Sequence, residues 1–102
     1  MGFRIVDGAQ QDSEESVVWY KQHSGMSEQF LTAVAAAFQR VECDPSTLPL
    51  TENPWPSRGR ITRRCPVEGF PFQVIFEALP DEIVVLAVAH GSRKPGYWKR
   101  RK

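Results

Sequence analysis

The sequence predicts an α+β domain in the order β-α-α-β-β-β, with an N-terminal helix hairpin packed on an antiparallel sheet of about four strands. Three observations lead there. Apolar residues recur at helical spacing in the first half of the chain, the spacing changes to two in the second half, and a proline-rich stretch divides them.

Phe3 to Val6 is short and apolar and reads as a first strand. Asp7 then offers a helix N-cap, with Gln10 three residues on to complete an approximate capping box. The helix that follows runs from about Gly8 to Gln22. Its first turns hold Asp12, Glu14 and Glu15, which suit the positive end of the helix dipole, and its apolar residues gather late at Val17, Val18, Trp19 and Tyr20. His23-Ser24-Gly25-Met26 is the break, with Gly25 free to adopt a left-handed conformation.

Ser27 is expected to cap a second helix reaching about Val41. Here Phe30, Val34, Phe38 and Val41 form a stripe, which Leu31 and Ala35 would widen. Ala33, Ala35, Ala36 and Ala37 are small enough to admit a close neighbour, and the short loop makes the two helices an antiparallel hairpin. Pro45, Pro49, Pro54 and Pro56 exclude a regular element between Asp44 and Arg58.

Beyond that loop, Arg60 to Arg64 reads as a strand ended by Pro66 and Gly69. In Phe70–Leu79 the residues Phe70, Phe72, Val74, Phe76 and Ala78 face one way, with Gln73, Ile75 and Glu77 opposite, as in a half-buried strand. Pro80-Asp81 makes a turn, and Ile83 to Ala89 is apolar on both faces, as a central strand should be.

The chain's 102 residues suffice for one domain, expected to span 1–102 with 97–102 as a basic tail. No apolar run approaches the length of about 20 residues that a membrane span needs, and Met1 to Asp7 lacks a signal-peptide core, so a cytoplasmic location is expected. Cys43 and Cys65 form no CxxC pair and sit near no His pair, so they are expected to be free thiols. No metal or organic cofactor is implied, because no ligand cluster is present.

Net charge is +1, yet it is unevenly spread. Residues 1–56 hold three basic side chains against eight acidic ones, and residues 57–102 hold ten against four. The C-terminal half is therefore expected to face a polyanion or an acidic protein.

At this point the order of elements and two segments resemble the RelE/ParE superfamily of toxins from type II toxin–antitoxin modules, the plasmid stabilisation proteins. "VDGAQQDSEESVVWY" is similar to that family's strand followed by a helix ending near a Trp-Tyr pair, and "GFPFQVIFEALPDEIVVLAVAHGSRKPGYW" to its paired C-terminal strands. The resemblance implies a growth inhibitor neutralised by a cognate antitoxin, with which it forms a hetero-oligomer. The target is implied to be either the ribosome and its mRNA, cut by RelE-like members, or DNA gyrase, poisoned by ParE-like ones. A non-toxic nucleic-acid-binding module is the alternative.

Cleaving a phosphodiester needs a base, an acid and cations on the developing charge. If the chain is RelE-like, the candidates are His90 as acid or base, Tyr97 as orienter, and Arg63, Arg64 and Arg93 as charge stabilisers. Gln73 stands where RelE-like nucleases commonly carry an Arg, which weakens that assignment. A nucleic-acid or antitoxin surface would draw on Arg58, Arg60, Arg63, Arg64, Arg93 and Lys94. It would also use Trp98, Lys99, Arg100 and Arg101, with Lys102 at the end of the tail and Trp55 beside the first two arginines.

Overall fold

A computed structural model describes residues 2–51 and 61–91. Strand β1 (Gly2–Ile5) leads into helices α1 (Asp7–His23) and α2 (Ser27–Cys43) and a 3-10 turn at Pro45–Thr47. Strands β2 (Arg63–Val67), β3 (Phe72–Ala78) and β4 (Glu82–His90) follow. The expected order is therefore found, on a sheet arranged β1-β4-β3-β2.

One part of the expected sheet differs. β2, β3 and β4 are antiparallel, but β1 lies parallel to β4, with Gly2 opposite Glu82 and Ile5 opposite Val85. Short turns force β2, β3 and β4 to alternate. At Val67–Phe70 the turn uses Gly69 at φ 85°, and at Leu79–Glu82 it uses Pro80-Asp81. No turn joins β1 to β4, so the direction of β1 is unconstrained by a hairpin.

β2 begins and ends three residues later than expected and contains Pro66. The reason is its position at the sheet edge. Arg64 donates its N–H outward to the Pro49 carbonyl at 2.9 Å, and Thr51 donates to the Thr62 carbonyl at 3.0 Å, so residue 66 also points outward, where a missing N–H costs no ladder bond.

Both helices start about one residue from the expected caps. Val6, not Asp7, occupies the N-cap of α1, and Met26, not Ser27, that of α2. Gln10 makes no capping box. Its amide donates to Glu14 at 3.3 Å, while Asp7 simply adds negative charge to the first turn. Gly25, at φ 67°, ends α1 as expected, donating to the Tyr20 carbonyl at 2.8 Å.

The helices cover one face of the sheet. Phe30, Val34, Ala37 and Val41 are buried along α2, with Ala33 and Phe38 partly so, whereas Leu31 is exposed and Ala35 points away. The stripe thus widens on the Ala33–Ala37 side rather than through Leu31 and Ala35, because the alanines allow β2 to approach. The Cys65 thiol there reaches within 3.8 Å of the Ala37 carbonyl. Phe30 anchors an aromatic cluster with Tyr20, Phe70 and Phe72, at centroid distances of 5.0 to 5.3 Å. On the opposite face Ile75, Val84 and Ala87 are also buried, in register with the long side chains of Arg4, Arg64, Gln73, Glu77 and Glu82. Among the described residues no helix is long and apolar enough to cross a membrane.

Truncating Phe30 to Ala should cost about 3–5 kcal/mol, while Leu31→Ala should stay within about 0.5 kcal/mol, as read by urea denaturation. Equal losses would contradict the stripe described. Burial also pushes the Cys65 thiol above its ordinary value of about 9, with the Arg40 guanidinium opposing the shift. The neutral buried thiol contributes its full stability below the unfolded pKa, and that contribution is lost as pH rises through the folded one. Above pH 9 the native chain should therefore lose stability more steeply than Cys65→Ala, measured by the pH dependence of the denaturation midpoint.

Candidate functional site

β4 outlasts its neighbour. β1 pairs only as far as Val85, after which Val6 donates to the Val85 carbonyl at 3.0 Å and the chain turns into α1. Among the described residues no strand lies beside the β4 edge from there to His90. The carboxylate of Asp12 fills part of that gap, accepting the Val88 N–H at 3.1 Å. Asp12 is 6% exposed, and one turn later Ser16 donates to its carbonyl at 2.8 Å. A side chain that the sequence presents as one of several helix-dipole acids is thus the clasp between α1 and β4. Its signal in the sequence was position: Ala9, Asp12 and Tyr20 share one face of α1, and a lone acid among buried neighbours needs a donor.

His90 closes β4. It sits opposite Phe72, whose ring it meets edge-on with centroids 4.9 Å apart, beside the mouth of a cleft between α1 and β4. Trp19, expected with Val18 to add to the apolar end of α1, is 53% exposed at the same cleft, and Val18 is 52% exposed on the surface. Both fall off the face defined by Ala9 and Tyr20.

Arg63 and Arg64 lie elsewhere. They pair with Phe76 and Ile75, two strands away from β4, so β3 intervenes. Phe72 and Phe76 are four positions apart, about 13 Å along a strand, and two strand spacings add about 10 Å across. Arg63 shares the helix-covered face with His90, but Cys65, Val67, Phe72, Val74 and Val88 fill the core between them. Its guanidinium is held by the Leu48 carbonyl at 2.6 Å. Arg64 projects from the opposite face, and its buried Nε has no hydrogen-bond partner among the described residues. Gln73, opposite Pro66 and Ala89, is on that face as well.

The structure therefore separates both arginines from His90. The other residues singled out in the sequence, Trp55, Arg58, Arg60, Arg93, Lys94, Tyr97, Trp98, Lys99, Arg100, Arg101 and Lys102, lie outside the described residues. Among the described residues no group of three or more His, Cys, Asp or Glu side chains is placed to hold a metal ion.

A helix hairpin on one face of a β1-β4-β3-β2 sheet, with β1 parallel and the rest antiparallel, defines a RelE/ParE-like fold. A chain of the chromosomal ParDE TA system from P. aeruginosa shares it, with a TM-score of 0.72 over 88% of this chain and 95% of that one, at 15% sequence identity. No family model and no curated protein sequence matches the chain.

Replacing Asp12 by Ala should cost about 1–3 kcal/mol, because the buried Val88 N–H would lose its acceptor. Asp12→Asn keeps an oxygen there and should recover part of the loss. Hydrogen exchange at the Val88 amide checks the assignment, with protection falling in Asp12→Ala well before global unfolding.

Proposed function

We propose that this chain is the toxin of a bacterial toxin–antitoxin module, acting in the ParE manner by binding DNA gyrase, and held inactive in the cytoplasm by a cognate antitoxin in a hetero-oligomer. The observation that carries the reading is the shared fold with a chain of a ParDE system, which extends over nearly the whole length of both.

Two features of the arrangement support binding over cleavage. A ribonuclease must bring a base, an acid and cations to one phosphate. Arg63 is instead anchored to the Leu48 carbonyl with the core between it and His90, and Arg64 leaves the sheet from the other face. The part-exposed Arg64 guanidinium on that other face is a planar cation that suits a carboxylate of an acidic antitoxin segment. Such a segment would be expected to engage Arg64 and Arg93, folding as it binds, while Arg63 stays on the Leu48 carbonyl.

The test is purified protein added in parallel to a gyrase supercoiling reaction and a cell-free translation reaction. Inhibited or trapped gyrase with intact translation is the expected result. Cut mRNA, abolished by His90→Ala or Tyr97→Phe, would overturn the reading in favour of a RelE-like nuclease. Inertness in both assays, together with tight RNA binding, would favour a non-toxic nucleic-acid module.

A further inference from the structure

The cleft between α1 and the end of β4 has a volume of about 430 Å³ and an acidic, aromatic lining. Its walls are the rings of Trp19, Tyr20, Phe72 and His90, and its acids are Asp12 and Glu15. No lysine or arginine among the described residues lines it. Asp12, Glu15, Trp19 and His23 follow one another along α1 at spacings of three or four, so they form one stripe.

That stripe gives Trp19 two different faces. His23, one turn later, stacks on the indole with centroids 4.5 Å apart and planes 12° from parallel, its Nδ1 held 2.9 Å from the Trp19 carbonyl. Tyr20 meets the indole edge-on at 5.1 Å. Glu15 lies one turn earlier, on the side opposite His23. None of the hydrogen bonds and ion pairs between described residues uses the Glu15 carboxylate. An aromatic plane held rigid on one side, beside a solvent-facing carboxylate on the other, is the arrangement that receives a flat cation.

We propose that this cleft is a receptor for the guanidinium group of an arginine on a partner protein, with the cation stacked on Trp19 and paired with Glu15. Nucleic acid is the wrong occupant. A base would stack on Trp19, but its phosphates would meet α1, which carries Asp7, Asp12, Glu14 and Glu15 against Lys21 alone. A lysine ammonium would satisfy Glu15 but lacks the planar face that matches the indole.

The probe is Nα-acetyl-arginine methylamide, titrated into the full-length chain while the Trp19 indole N–H and the ring signals of Tyr20, Phe72 and His90 are followed by NMR. A saturable shift confined to these residues is expected, with the neutral isostere Nα-acetyl-citrulline methylamide giving none. Glu15→Gln and Trp19→Leu should each weaken binding about three- to fivefold, the size of one exposed ion pair or cation–π contact. Both positions are solvent-exposed, and unchanged signal dispersion confirms that the variants fold; if Trp19→Leu does not, Glu15→Gln carries the test. Equal binding of the citrulline compound, no effect of Glu15→Gln, no saturable shift, or stronger shifts from a mononucleotide would each overturn the assignment.

Discussion

The early end of β1 sets the rest of the structure. A four-residue strand on the flank of a nine-residue one leaves half of the β4 edge without a ladder partner among the described residues. Buried backbone N–H groups need acceptors, and here a helix side chain supplies one beyond the end of β1. Asp12 does so from the second turn of α1, so the same bond that satisfies β4 fixes where the helix crosses the sheet. Tyr20, two turns further along α1, is thereby set over Phe30 and Phe72, and Trp19 is turned outward. The cleft is the space left where helix and strand diverge beyond this clasp.

The opposite flank solves the edge problem by different means. β2 is partly covered by the chain around Pro49–Thr51, with Leu50 bridged to Arg63 and the Thr51 and Thr62 hydroxyls 2.7 Å apart. Pro66 removes the next outward donor, which makes continued pairing with another chain unfavourable. A proline that looks in the sequence like the end of a strand is therefore part of one. The difference lies in which way the residue points, and that depends on tertiary placement.

This distinction explains what was legible in the sequence. The period-two pattern of Phe72, Val74 and Phe76, the doubly apolar run of β4, and the stripe of Phe30, Val34 and Val41 are local signals, and the structure follows them. The parallel direction of β1, the true floor of α2 at Ala33 and Ala37, and the burial of Asp12 depend on contacts between segments far apart in the chain. No window of neighbouring residues contains that information. The candidate site divides in the same way. His90 could be placed at the end of a central strand from sequence alone. The distance from His90 to Arg63 and Arg64 follows from sheet order, which places β3 between their strands.

Sheet order also bears on which groups of this domain can act together. Groups that share one reacting atom must converge within hydrogen-bond reach of it, and an apolar core lies between His90 and Arg63. Inhibition by binding demands only that complementary surfaces persist, and these can sit on different sides of the molecule. Here the part-exposed Arg64 leaves one face of the sheet, while Glu15 and Trp19 form an acidic aromatic rim of α1 on the other. The two surfaces have opposite electrostatic preferences. A partner that covers Arg64 with a carboxylate has no reason to cover Glu15, and one that presents a cation to Trp19 gains nothing at Arg64. A small domain organised in this way can engage two chemically distinct partners without either one obstructing the other.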